Sequence, residues 1–386
     1  MKERIHSIDI VRGLIMIIMT LDHSRDFFNI PGPSPLNMQT TTVILFFTRW
    51  VTHFCAPTFV FLSGVSVFLA GQKRSKKELS LFLLKRGAWL ILSDMLIISF
   101  LFTFDSFYHV VVLEVLSAIG FGMIILALLI HTPPRVIAIT GLVIILGHNL
   151  LDYVQLPENG LTGSLIKLFV SASGGASIPL AVNRMVAVLY AGIPWAGIML
   201  LGYVFGAVYK TGFNSERRKR ILLTSGISLT VLFIVLRLAN HYGDPNPWTV
   251  QRNAAHTLLS FLNATKQPPS LLFISMTLGP VLIFLSFAEK LSSRFASFCR
   301  IYGNVPYFYF IMHLCLIRII NIVLIVLAGI RIKFTGFPLV WQADGFGYPL
   351  WAVYLFWLLV IAMLYFPCKW YGNYKRHHTQ WWLSYL

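Results

Sequence analysis

Charge is scarce in this 386-residue chain, at 12% of residues against roughly a quarter in soluble globular domains. Negative charge is scarcer still, with 14 Asp and Glu against 31 Lys and Arg. The deficit is concentrated in apolar blocks about twenty residues long, enough to cross a bilayer core of roughly 30 Å. A backbone in lipid must satisfy its own hydrogen bonds, so such blocks are helices or barrel strands. These are continuous runs without period-two alternation, which excludes a barrel. Cysteine is also rare. Cys55, Cys299, Cys315 and Cys368 show no metal-ligand or disulfide spacing, so neither a metal nor a disulfide framework is expected. A Walker loop, a Gly-rich dinucleotide fingerprint and a zincin helix are all missing, which disfavours an ATP-driven pump.

The net charge of +17 would suggest nucleic acid in a soluble protein. Here the cations gather in alternate loops, as membrane topology requires, and no nucleic-acid partner is expected. The apolar runs predict an all-α polytopic integral membrane protein with about ten transmembrane helices, at about 8–29, 45–71, 79–104, 108–131, 135–153, 186–209, 221–240, 269–289, 302–328 and 349–371. Connections 72–78, 132–134, 210–220 and 290–301 hold Lys73, Arg74, Lys76, Lys77, Arg217–Arg220 and Arg300. The opposite, longer connections hold few cations, among them Lys167, Arg184, Arg252, Lys266, Arg331 and Lys333. That asymmetry puts both termini in the cytoplasm. Asp9 and Arg12 interrupt the first apolar run and no cleavage site follows, so it reads as a permanent helix. Residues 1–386 read as one transmembrane domain without internal repeats. Pro57, Pro194, Pro280 and Pro306 predict kinks.

Charges deep in a bilayer are costly and face a cavity or a partner. The first helix concentrates them in Asp9, Arg12, Asp22, His23, Arg25 and Asp26. Arg12 and His23 are eleven residues apart, hence about 20° apart around the helix and ~16 Å along it. One face therefore runs from a cation at one end to an imidazole flanked by carboxylates at the other. It suits an extended molecule with an anionic end and a reactive end. Asp22 or Asp26 is positioned to orient the His23 ring, as a carboxylate does in hydrolase triads, or to cap the helix end. Arg49 and His53 lie one turn apart, close in depth to His23. His313, mid-membrane in the ninth predicted helix, and Glu114 in the fourth are further candidates. Bland readings stand beside these: Arg12 snorkelling to phosphates, and the histidines satisfied within helix contacts.

The stretch Arg4–Gly13 (RIHSIDIVRG), continuing through Asp22-His23-Ser24-Arg25-Asp26, resembles the bacterial branch of the heparan-α-glucosaminide N-acetyltransferase catalytic-domain family. Ala56–Gly64 (APTFVFLSG), Ile193–Tyr203 (IPWAGIMLLGY), Thr265–Leu271 (TKQPPSL) and Tyr302–Pro306 (YGNVP), running on to His313, extend the resemblance over nearly the whole chain. It implies a transmembrane acetyltransferase of a bacterial inner membrane. Such an enzyme moves an acetyl group from cytosolic acetyl-CoA to an amine or hydroxyl of a sugar or glycan on the far side, with no metal. The Arg-x10-His pattern is also similar to membrane acyltransferases that decorate surface polysaccharides. That implies a catalytic His23, supported by Asp22 and Asp26, with Asp9, Arg12, Arg49, Trp195 and His313 as candidates for holding the donor. Lysosomal members carry a His-Ala-x-Trp-Asn-Gly segment between the first two helices. Residues 27–52 here contain no His, which makes His53 the second catalytic candidate. General-base catalysis and an acetyl-histidine intermediate both remain open. The alternative is a transporter or flippase of a polar or lipid-linked substrate, with the buried charges lining its path. Membrane lipid is an expected partner; a homodimer is compatible with the sequence, but nothing in it argues for one.

Overall fold

A computed structural model describes residues 5–330, 345–380 and Leu383; Arg4, Arg331 and Lys333 lie outside them. The chain runs α1 (His6–Phe28), α2 (Val43–Trp50), α3 (Cys55–Gly71), α4 (Lys76–Ser93), α5 (Ser99–Thr103), β1 (Val110–Leu113), α6 (Val115–Leu129), α7 (Pro134–Gly147), α8 (Gly160–Phe169), β2 (Ala176–Ala181) and β3 (Arg184–Val188). It continues α9 (Gly192–Phe205), α10 (Ser215–Ala239), α11 (Ala254–Leu262), α12 (Leu271–Ala288), α13 (Arg294–Gly303), α14 (Pro306–Leu327) and α15 (Leu350–His377). The protein is an all-α polytopic membrane protein. Among the described residues, seven helical stretches are long and apolar enough to cross a membrane. Helix α1 is not one of them, because Asp9, Arg12, Asp22, Arg25 and Asp26 lie along it. It is instead enclosed, packing against α3, α12, α13, α14 and α15.

Glycine lets the helices approach this closely, as small residues do in membrane bundles. A Cβ on Gly13 of α1 would lie 1.8 Å from the Cys299 carbonyl oxygen of α13, and one on Gly303 would lie 1.9 Å from the Asp9 oxygen. Gly64 and Gly202 join α3 to α9 in the same way, and Gly87 and Gly120 join α4 to α6.

Three predicted spans are interrupted. The 108–131 block begins with β1, whose β-branched Val110–Val112 run suits a strand. It pairs in parallel with β3, which occupies the start of the predicted 186–209 span, and β2 pairs antiparallel to β3. Helix α6 therefore starts only at Val115. Its first turn is capped from outside: Asp94 Oδ2 accepts the Glu114 and Ser117 amides at 2.7 and 2.8 Å. Asp94 opens a π-helical turn, Asp94–Ile98, between α4 and α5. The 302–328 span is two helices, broken at Asn304 and Val305, and Pro306 starts α14 rather than kinking a helix. Pro57 and Pro194 likewise fall in the first turns of α3 and α9, whereas Pro280 is internal to α12.

Candidate functional site

At its N-terminal end α1 presents Arg12. Its Nη2 donates to Ser66 Oγ at 3.0 Å, and its Nη1 reaches Asp9 Oδ1 at 3.3 Å and the Gly303 carbonyl at 3.4 Å. The Gly13–Gly303 crossing is what brings that carbonyl within reach. Arg12 and Arg86 line a cavity of about 110 Å³ together with Met16, Phe59, Ser63, Tyr307 and Phe310. Apart from the two arginines its lining is mostly apolar.

Phe310 is also in edge contact with both His23 and His313. His23 Nδ1 lies 2.7 Å from His313 Nε2, the two rings nearly parallel, and His313 Nδ1 lies 3.0 Å from the Tyr309 carbonyl. The tautomers follow from these partners. A carbonyl only accepts, so His313 Nδ1 carries the proton. In the neutral ring Nε2 is then an acceptor, and His23 Nδ1 donates to it. That leaves the lone pair of His23 on Nε2, which makes no hydrogen bond among the described residues. Tyr309 is held in turn, its hydroxyl 2.6 Å from Thr20 Oγ1 of α1.

Asp22 is next to His23 in sequence, but its carboxylate is engaged elsewhere. Arg49 Nη1 donates to Oδ2 at 2.7 Å and Arg25 Nη2 lies 2.8 Å from Oδ1. Arg25 also binds Asp26 at 2.5 Å. These charges form a paired network beside the imidazole, and the His23 ring nitrogen is oriented by His313.

His53 and Trp195 occupy a neighbouring compartment around Phe273. Both are fully buried, yet neither ring nitrogen of His53 nor the Trp195 indole N–H has a partner among the described residues. Tyr190 packs on Trp195, and the Lys266 ammonium lies 5.1 Å above the Tyr190 ring. Burial and the Arg49 guanidinium push the Lys266 ammonium down to about 8, opposed by Asp22 and Glu114. Of the residues in this compartment, Lys266 and Tyr190 had no site role assigned from sequence, whereas Glu114 was a candidate. Lys266 was legible as a loop cation and as part of the Thr265–Leu271 motif. Glu114 is not inside a helix but at the N-terminal boundary of α6, because β1 precedes it. Among the described residues, no group of His, Cys, Asp and Glu side chains is arranged to hold a metal ion.

The model of the family "Heparan-alpha-glucosaminide N-acetyltransferase, catalytic" matches residues 4–236. The match covers Arg12, His23, Arg49, His53 and Trp195, and ends before Lys266 and His313. No curated protein matches the chain.

Proposed function

The chain belongs to the heparan-alpha-glucosaminide N-acetyltransferase catalytic family, and from that premise we propose a transmembrane transfer of acetyl from acetyl-CoA to a sugar amine or hydroxyl, with His23 as the base. The observation that carries this reading is the bare His23 Nε2, on a ring in edge contact with Phe310, which also lines the Arg12–Arg86 cavity. The two guanidiniums suit the phosphates of CoA, and the narrow apolar stretch suits its pantetheine arm. The ~16 Å between Arg12 and His23 along α1 suits the arm's length.

His23 Nε2 takes the proton as the acceptor nitrogen or oxygen attacks the thioester carbonyl. The C–S bond breaks and the sulfur leaves as thiolate, which receives that proton. An acetyl-histidine route would use the same lone pair. His313 holds the ring and its tautomer, while Arg49 and Arg25 hold Asp22 close enough to stabilise a transient imidazolium. The cation-rich loops support a cytoplasmic Arg12 end, hence cytosolic donor and far-side acceptor, in a bacterial cytoplasmic membrane with residues 1–386 as one domain.

The test needs no acceptor. Thermal stability of the purified protein is measured against acetyl-CoA concentration, for wild type and Arg12→Ala. A ligand that binds only the folded state adds about 2.7 kcal/mol at a hundredfold excess over its dissociation constant. A saturable shift, weakened in Arg12→Ala, is expected; no shift in folded wild-type protein would refute donor binding.

A further inference from the structure

The surroundings of Phe273 are rich in hydrogen-bond donors that no described residue uses. Among the described residues the wholly buried Trp195 indole N–H has no partner, and neither has either His53 ring nitrogen, one of which is a donor in the neutral ring. Arg49 spends a single nitrogen, Nη1, on Asp22 and Thr52; its Nη2 and Nε make no hydrogen bond among the described residues. The half-buried Lys266 ammonium lies over the Tyr190 ring face and makes no hydrogen bond or ion pair among the described residues. Leaving a buried polar group unmade costs about 1–3 kcal/mol, so a cluster of them marks a place meant to be filled. Even with Glu114 and the Asp22 already paired to Arg49 counted, unused donor hydrogens on Lys266, Arg49, Trp195 and His53 outnumber the acceptors there. The missing occupant is therefore rich in acceptors, and the Lys266 ammonium and the Arg49 fork favour a negative one.

Lys266 is presented on a fixed loop. Asp244 accepts from the Thr265 amide at 2.8 Å, the Thr265 hydroxyl at 2.8 Å and the Ser270 hydroxyl at 2.7 Å. The Ser270 amide returns to the Thr265 carbonyl, the Gln267 carbonyl accepts the Gly174 amide, and Asn149 accepts the Leu271 amide. Arg237 secures the segments before it by donating to the carbonyls of Asn246, Ser260, Phe261 and Asn263. A loop braced this way holds its cation in place before any ligand arrives, which lowers the ordering cost of binding.

We propose that Lys266 and Arg49, with Trp195, Tyr190 and His53, form the subsite for an oxyanion, a phosphate or carboxylate, carried by the sugar acceptor. This rests on the acetyltransferase reading and narrows its acceptor to an anionic sugar. Lys266 supplies a point charge and Arg49 a fork suited to two oxygens. The aromatic rings of Trp195 and Tyr190 wall the site, and His53 adds a hydrogen bond. The anion thereby holds the sugar beside the Asp22–Arg49 pair, on the side of the network next to His23.

The test uses the full-length protein in phosphatidylcholine nanodiscs and measures binding of glucosamine, glucosamine 6-phosphate and inorganic phosphate. Glucosamine 6-phosphate is expected to bind about tenfold more tightly than glucosamine, the worth of one charge-assisted contact. Lys266→Gln should erase the preference and Lys266→Arg should keep part of it. Acetyl-CoA binding, measured on the same samples, should be unchanged in Lys266→Gln, which certifies the fold. Equal affinity for the two sugars overturns the proposal, and so does a preference that survives Lys266→Gln. Failure of both phosphate-bearing probes to bind at millimolar concentration overturns it as well. A preference abolished by adding phosphatidylglycerol assigns the site to a lipid headgroup and overturns the acceptor assignment. Loss of acetyl-CoA binding in wild type with the sugar preference intact would sink the acetyltransferase reading and leave the anion site standing.

Discussion

Replacing His313 with Leu tests the chain of hydrogen bonds that defines His23. The substitution keeps an apolar side chain in the α14 core and removes the acceptor 2.7 Å from His23 Nδ1. The His23 N–H then has no partner, at a cost of about 1–3 kcal/mol for a buried donor. If that cost falls on the ring orientation the reaction uses, kcat drops by about 5- to 150-fold, at 1.36 kcal/mol per decade. His313→Gln offers a carbonyl oxygen to the same N–H and should recover part of the loss. The assay is acetyl transfer from radiolabelled acetyl-CoA to the best acceptor from the binding panel, with donor affinity measured in parallel. Unchanged kcat in folded His313→Leu protein refutes the reasoning. Loss of acetyl-CoA affinity with kcat retained refutes it too, and would make His313 a donor-binding residue.

Acceptor binding should weaken as pH rises through about 8, the value to which burial and Arg49 depress Lys266. The ammonium is present below that value and lost above it, against the opposing influence of Asp22 and Glu114. A KM for an anionic acceptor that stays flat from pH 7 to about 9 in wild type, as it should in Lys266→Gln, contradicts this. Gly13→Ala should destabilise by at least about 1–3 kcal/mol, because the new methyl meets the Cys299 carbonyl of α13. Gly147→Ala, whose Cβ meets nothing within 4 Å, should be neutral or stabilising, and melting temperatures of the two variants would settle the comparison. Ser63→Phe should block the cavity and abolish the acetyl-CoA stability shift while leaving binding of glucosamine 6-phosphate unchanged. A preserved acetyl-CoA shift would route the donor elsewhere.

The parts of the fold that were legible are those governed by long apolar runs, since a run that fills a bilayer has only one favourable backbone. What interrupts the runs was not legible. Val110–Leu113 is as apolar as the helix after it, and only its pairing with β3 and the Asp94 cap reveal that the helix begins at Val115. At the site, Arg12 and His23 stood out because both break one apolar helix at a spacing that the helical period converts into a shared face. The partnership of His23 with His313 joins positions 290 residues apart, and a single sequence carries no record of it. Lys266 was visible as a residue but not as a site. Its distinction lies in having no hydrogen-bond or ion-pair partner among the described residues, beside other groups that have none, a property of packing. Asp22 and Asp26 were both candidates for orienting the His23 ring, but adjacent residues on a helix point about 100° apart. That leaves Asp22 facing Arg49 and leaves the His23 Nδ1 facing α14.

The lining of the cavity bears on the choice between moving an acetyl group and moving a whole substrate. Apart from its two arginines it is mostly apolar, and it offers a hexose few partners for the hydrogen bonds its hydroxyls would lose. A thin, flexible chain ending in a thioester carries fewer such groups. The charged groups at the two ends of α1 do not form a continuous polar path, because Leu14–Leu21 between them are apolar apart from Thr20, which is committed to Tyr309. An ion or sugar carrier needs a route that stays polar through its midplane. The proposed acyltransferase needs the reverse: two polar ends and, between them, an apolar stretch that takes only the thin arm of the donor. The charges of α1 are arranged in that second way, gathered at its two ends with apolar residues between them.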